Sequence, residues 1–180
     1  MLRKILLIEA LVLLVLILGI KFWLAGFVEE QLNTVEPHPP WVVSAEAAAL
    51  HARIPVADLH ADPLLWKRDW LTRADRGHTD LPRMREGGVA LQVLTAVTKS
   101  PSGQNYESNA SDTDTITYLA MAQLWPLRTW NSPFERAVYQ GEKLADWDRR
   151  GGEDFRVIRS RGDLEKLLED RERGSQALGG

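Results

Sequence analysis

The chain has 180 residues, a net charge of −3 and no cysteine. The lack of cysteine excludes disulfides and thiolate metal sites, so any metal would be held by His, Asp or Glu. Acidic and basic residues are interspersed and nearly balanced, and we therefore expect no nucleic-acid partner. This length is sufficient for one domain with its own hydrophobic core.

The N-terminal segment is the most apolar part of the chain. Two basic residues precede the stretch 5–28, in which Glu9 and Lys21 are the only charges. About 20 apolar residues cross a bilayer, and we predict an uncleaved transmembrane anchor over residues 1–28. Its basic end would lie in the cytoplasm and the rest of the chain on the periplasmic or extracellular side. A cleaved signal peptide and a buried core helix are the alternatives.

The segment after the anchor is predicted to be a linker over residues 29–43, because its three prolines favour extended backbone. A domain is then expected over residues 44–180. Its first element is an alanine-rich helix from Ala45 to about Arg53, for which Ser44 is a good N-cap. The helix is expected to end before Pro55.

The stretch from Val56 to Asp62 predicts a short strand with an unusual set of polar side chains. Residues two apart on a strand project from the same face, so Asp58, His60 and Asp62 would lie together. Imidazole nitrogen and carboxylate oxygen are normal zinc ligands, and two of them at one strand end make a rigid half-site. The alternative is a solvated histidine beside an aspartate that caps a helix.

The rest of the chain alternates between helical and strand patterns. A nearly continuous apolar run at 88–97 is typical of a strand that is covered on both faces. After it the pattern predicts a loop, two helices, a short strand and a final helix, at residues 99–111, 112–125, 133–149, 155–159 and 164–173. The second of these helices has a capping box formed by Ser132 and Glu135. Residues 174–180 are expected to trail off, and the alternation indicates a parallel α/β architecture.

Two motifs in combination resemble one known family. The first runs from Asp58 to Pro63, and the second from His78 through Leu81-Pro82-Arg83 to Gly87-Gly88-Val89. Their order and separation resemble the start of the membrane dipeptidase family, also called renal dipeptidases. The resemblance implies the N-terminal part of a (β/α)8 TIM barrel of the metal-dependent hydrolase type, preceded here by a transmembrane helix. It is strong over residues 54–97 and rests on element order from residue 112 onward.

The resemblance also implies an activity and its ligands. Members of the family use two zinc ions to cleave dipeptides, so this chain would belong to a membrane-anchored metallodipeptidase with a dipeptide substrate. His60 and Asp62 match ligands of one zinc, and Asp58 would orient a ligand. His78 is expected to be a loop residue that helps to place Leu81. The remaining histidines, His38 and His51, match no ligand of the family. The glutamates considered as a bridging ligand also match none: Glu153, Glu165 and Glu169.

Two ligands are fewer than a catalytic zinc normally has, and a complete barrel has roughly 250 residues. We therefore expect the chain to be an N-terminal fragment that binds zinc weakly and does not hydrolyse dipeptides by itself. A non-catalytic, membrane-anchored envelope protein and an amidohydrolase-type enzyme with another substrate are the alternatives. The sequence predicts neither the side chains of a preferred dipeptide nor the oligomeric state.

Overall fold

The computed structural model describes residues 2–180, and it begins with one long helix. α1 comprises Leu2–Gly19, a π-helical turn follows at Ile20–Leu24, and α2 comprises Ala25–Leu32. The helix is long and apolar enough to cross a membrane, a property that anchors share with signal sequences. It extends four residues into the segment that was expected to be a linker, where Glu29 is buried.

Helices and strands alternate through the rest of the chain. In order they are α3 (Ala45–His51), β1 (Val56–Ala61), α4 (Leu81–Glu86), β2 (Val89–Leu94), α5 (Ile116–Ala122), α6 (Pro133–Gly151), β3 (Phe155–Arg156), α7 (Arg161–Glu172) and β4 (Leu178–Gly179). Two predicted caps are confirmed, because the hydroxyls of Ser44 and Ser132 accept hydrogen bonds of 3.2 Å from the backbone N–H groups of Ala47 and Glu135.

The four strands form one parallel sheet in the order β1-β2-β4-β3. The predicted parallel α/β architecture is therefore confirmed. The order also places β4, rather than β3, beside β2. The expectation that residues 174–180 trail off is wrong, since Leu178 and Gly179 are buried in a strand. The lack of a side chain at Gly179 matters, because a Cβ there would lie 2.7 Å from the side chain of Leu167.

Three other predictions on the elements need correction. The run at 88–97 is not covered on both faces, since Ala90 and Gln92 are buried whereas Val93 is 40% exposed. α5 begins at Ile116, four residues later than expected. α7 begins earlier than expected, because the Ser160 hydroxyl caps it by accepting a bond of 3.2 Å from the backbone N–H of Asp163.

The main hydrophobic cluster fixes the segment between β1 and α4. Its buried members are Leu64, Trp70, Leu81, Met84, Trp147, Phe155 and Leu178. The Trp70 ring stacks on Trp147 at 5.5 Å between centroids and meets Phe155 edge-on at 5.3 Å. Because Trp70 is fully buried between α6 and the sheet, the chain that leaves the end of β1 has little freedom to move.

Asp80 fixes the start of the second motif. Its fully buried carboxylate accepts hydrogen bonds from the backbone N–H groups of Arg83 (2.9 Å) and Ala74 (3.0 Å) and from Nε of Arg83 (2.7 Å). Arg83 in turn donates to the carbonyl of Gly77 at 2.7 Å. Burial opposes the ionisation of Asp80, but these hydrogen bonds outweigh it and hold its pKa below its usual range.

We predict that Asp80→Asn lowers the free energy of unfolding by about 2 kcal/mol at neutral pH. Because the folded-state pKa is lowered, this stabilisation is full above the unfolded pKa of about 4 and is lost as the pH falls through the folded pKa. Urea denaturation of wild type and variant at pH 7 and pH 3 measures the difference. Asp75→Asn, at an exposed side chain, is the control. A difference that is the same at both pH values would contradict the prediction.

Candidate functional site

The carboxyl end of β1 brings His60 and Asp62 together. His60 is the penultimate residue of the strand, and Asp62 follows the strand directly. The imidazole Nε2 lies 3.5 Å from Oδ2 of Asp62, and the two side chains are 71% and 32% exposed. Both donor atoms are therefore close to each other and open to a ligand from solvent.

Asp58 does not join this pair. Its Oδ1 accepts a hydrogen bond of 3.1 Å from the backbone N–H of His60, so the carboxylate turns toward its own strand. The pairing register with β2 shifts between Asp58 and Ala61, where β1 has one extra residue. Such a bulge changes the direction of side chains, and the alternation that grouped Asp58 with the other two side chains does not hold across it.

Thr95 holds the Asp62 carboxylate from the neighbouring strand. It follows β2 directly, and its backbone N–H donates to the carbonyl of Ala61 at 2.9 Å. Its hydroxyl donates to Oδ1 of Asp62, which leaves Oδ2 on the side of His60. We did not identify Thr95 from the sequence; the available signal was a hydroxyl residue where the apolar run of the second strand ends.

Gln92 is a second polar residue of the site region that was missed. It is fully buried on β2 opposite Asp58, and its Nε2 donates to the carbonyl of Val93 at 3.1 Å. Its Oε1 is buried without a hydrogen-bond partner in the part of the chain that the structure describes. A buried acceptor of this kind is costly unless it is paired, so Gln92 is a candidate for a further contact at this end of the sheet.

A pocket of about 240 Å³ adjoins Asp62. Arg68 and His78 also line it, as does Asn33, the residue that follows α2. His78 lies in a loop, as predicted, but it shares a pocket with Asp62, which the sequence did not indicate. The volume is below the roughly 300–1,000 Å³ of common ligand pockets and suits a small polar group.

The other histidines lie elsewhere. His38 follows the first helix and contacts the carbonyl of Pro39 at 2.9 Å. His51 lies on α3, where its Cε1 is 3.1 Å from the Cβ position of Gly88, at the end of the sheet where the strands begin. Within residues 2–180 the structure brings together no group of three or more His, Asp or Glu side chains that could hold a metal ion.

The glutamates considered as bridging ligands also lie away from the pair. Glu153 precedes β3, whereas Glu165 and Glu169 lie on α7. Glu165 is paired with Arg161 at 2.7 Å and Glu169 with Arg173 at 3.4 Å. These contacts are ordinary surface ion pairs of a helix.

The spacing of the His60 and Asp62 side-chain atoms can be compared with that of zinc ligands. Zinc binds imidazole nitrogen and carboxylate oxygen at about 2.0–2.2 Å, so two ligand atoms at tetrahedral corners lie about 3.3–3.5 Å apart. The observed 3.5 Å between Nε2 and Oδ2 matches two corners of one tetrahedron. Thr95 supplies the outer contact that commonly orients a ligating carboxylate. The same distance also suits a direct contact between an imidazole and a carboxylate, so the spacing is compatible with both.

The first helix is docked beside this site. The Glu29 carboxylate is 1% exposed and contacts the guanidinium groups of Arg68 and Arg76. In addition, Nε2 of Gln123 donates to the carbonyl of Ala25 at 2.9 Å. The ion pair joins α2 to the segment that follows β1, so the helix and the domain are in direct contact. Residues 34–44, between α2 and α3, have no regular secondary structure.

No protein-family model matches the sequence, no curated protein matches it, and no solved structure matches the fold. The chemistry of the site therefore has to be inferred from its side chains and from the two motifs that carry them.

Proposed function

We propose that His60 and Asp62 are two ligands of a zinc site in a membrane-anchored metallodipeptidase, of which this chain forms the N-terminal part of a (β/α)8 barrel. The observation that carries the proposal is the 3.5 Å approach of Nε2 and Oδ2 at the carboxyl end of a parallel strand. Active sites of such barrels lie at this end of the strands. The pair lies within the first of the two motifs that resemble the membrane dipeptidase family, and the second motif follows it in the chain.

The residues of this chain would have distinct roles in that site. His60 and Asp62 would hold the metal, and Thr95 would position the Asp62 carboxylate by donating a hydrogen bond to Oδ1, which leaves Oδ2 on the side of His60. When bound, zinc would lower the pKa of a water molecule and polarise the carbonyl of the scissile peptide bond. By the resemblance, the bridging glutamate and the further histidine ligands belong to later strands of the barrel.

The N-terminal helix is proposed to be a retained anchor that places the domain on the periplasmic or extracellular face. Support comes from Glu29, which is buried and paired with Arg68 and Arg76. Cleavage within residues 1–28 would remove the preceding helical turns that hold this carboxylate against the two guanidinium groups, and an ion pair buried in this way is costly to disturb. The two basic residues before the apolar stretch favour a cytoplasmic N-terminus.

Zinc binding by the full chain is expected to be weak and to depend on both ligands. His60→Ala and Asp62→Asn each remove one of two ligands, and we expect each to lower zinc affinity by at least about tenfold. Thr95→Val removes the outer contact, and a loss of about tenfold is expected from that change. Competition with a chromophoric zinc chelator, in detergent micelles, measures these affinities. His38→Ala is the matched control.

Two results would contradict the proposal. Unchanged zinc affinity in both His60→Ala and Asp62→Asn would show that zinc is held by other residues. Zinc-dependent hydrolysis of a dipeptide by this chain, lost in His60→Ala, would instead show that its own residues complete the catalytic site.

A further inference from the structure

Two apolar side chains are exposed at the turn between α5 and α6. Leu124 follows α5 by two residues, and Leu127 begins a short 3₁₀ turn. Their exposed fractions are 36% and 75%. We call residues 123–127 the Leu124 corner.

The backbone of Leu124 is unusual for a leucine. Its φ is 56°, and it is the one non-glycine residue within 2–180 with positive φ. The N–H of Leu124 donates to the carbonyl of Met121 at 3.0 Å, and that of Trp125 to Ala120 at 2.9 Å. This is a Schellman end of a helix, in which glycine is the usual residue at the left-handed position. A leucine there adds strain and presents an apolar side chain outward.

Contacts place the Leu124 corner beside the first helix. Gln123 donates to the carbonyl of Ala25, and Nζ of Lys67 donates to the carbonyl of Lys21 at 3.0 Å. About 20 helical residues at 1.5 Å each span the hydrocarbon core, so an apolar segment that starts at residue 5 reaches its boundary near residue 24. The Leu124 corner therefore lies at the level where the helix leaves the hydrocarbon.

The helix carries aromatic side chains at the same level. The Trp23 and Phe27 rings stack at 4.5 Å between centroids, and both side chains are exposed. Aromatic residues concentrate at the boundary between hydrocarbon and headgroups. Leu124 and Leu127 lie on the domain next to Gln123, which contacts the helix at Ala25, between Trp23 and Phe27 in the chain. Lys21 is exposed near this level, and its side chain is long enough to reach lipid phosphates.

We propose that the Leu124 corner inserts into the outer lipid leaflet and forms a second membrane contact next to the anchor. The inference rests on the proposal that the N-terminal helix is retained in the membrane. Two contacts hold the domain in one orientation, whereas a single helix leaves it free to rotate. Asn33 borders the Asp62 pocket and lies eight residues beyond Ala25, so the pocket is held within about 12 Å of the membrane boundary.

The absence of cysteine permits a clean test with single labels. The variants are Leu127→Cys at the corner, Leu14→Cys in the anchor and Glu172→Cys at the opposite end of the sheet, each labelled with a nitrobenzoxadiazole dye. Leu127 is 75% exposed, so its replacement leaves the core intact; Leu124→Cys is a second probe of the same surface. The full chain is reconstituted into phosphatidylcholine vesicles with or without lipid that carries a doxyl quencher, at carbon 5 for the labels at 124, 127 and 172 and at carbon 12 for the label at 14.

We expect the labels at positions 14 and 127 to emit at shorter wavelength and to lose about half of their intensity to the lipid quencher, whereas the label at 172 is unaffected. Quenching at 14 but none at 124 or 127 would overturn the second membrane contact and leave the anchor in place. A shorter emission wavelength at 127 without quenching would show that protein covers the corner, which also overturns it. No quenching at 14 would overturn the retained anchor and this inference with it.

Discussion

Replacing Arg136 with methionine is expected to lower the free energy of unfolding by about 3–5 kcal/mol. The side chain is fully buried on α6. It donates to the backbone carbonyls of Thr98 (2.6 Å), Thr129 (2.8 Å) and Trp130 (2.7 Å). It also donates to the Asp114 carboxylate at 2.6 Å and to the hydroxyl of Thr117 at 2.7 Å.

The size of this effect follows from the groups left behind. Without the guanidinium, the Asp114 carboxylate and the three carbonyls lose their shared donor, which joins the loop between β2 and α5 to α5 and α6. Buried polar groups that lose their hydrogen-bond partners are costly. Lysine cannot replace this planar set of donors, so Arg136→Lys is expected to destabilise nearly as much. Arg149→Met is the control, because Arg149 is exposed on the same helix. Urea denaturation followed by tryptophan fluorescence measures the loss; a loss below about 1 kcal/mol would contradict the prediction.

Replacing Glu29 with alanine is expected to release α2 from the domain and to cost about 3 kcal/mol. Glu29 is 1% exposed and its partner Arg68 is 8% exposed, so the change leaves a buried cation without its counter-charge. Hydrogen exchange of peptides that cover residues 25–33, in detergent micelles, measures the release directly. The amides of α2 should exchange faster, because a helix that is no longer packed opens more often.

Glu30→Ala is the matched control, since Glu30 is exposed and adjacent on the same helix. Glu29→Gln separates charge from shape, because glutamine keeps an acceptor for Arg68 but not the negative charge. We expect it to show an intermediate increase in exchange. Equal exchange in Glu29→Ala and Glu30→Ala would mean that the ion pair does not hold the helix, and a cleaved signal sequence would then be the better interpretation.

Local sequence pattern predicted half of the candidate site. The period of a strand is two residues, and this brought His60 and Asp62 together correctly. Asp58 was misplaced because a bulge in β1 depends on pairing with β2, which no local pattern specifies. Thr95 was missed for a related reason, since it reaches Asp62 only through the parallel pairing of two strands that lie over 30 residues apart.

The sequence predicted the helices that begin with a capping residue, but it did not predict β4 or the burial of Glu29. Capping residues at Ser44 and Ser132 act within one helical turn, so the sequence reveals them. β4 has two residues, too few for any period, and its burial depends on the small Gly179 fitting under Leu167. Glu29 was assigned to a polar linker, because its burial depends on an ion pair with Arg68, which lies 39 residues later and leaves no local signal in the sequence.

X-ray absorption at the zinc edge is the most direct test of the proposed metal half-site. The full chain would be loaded with one equivalent of zinc, at a protein concentration above the dissociation constant. We predict one imidazole nitrogen among the ligands of zinc, with oxygen in the remaining positions, because His60 and Asp62 are the paired donors. The imidazole signal should disappear in His60→Ala and persist in His38→Ala. An imidazole signal that persists in His60→Ala, or none in the wild type, would contradict the assignment of His60 as a zinc ligand.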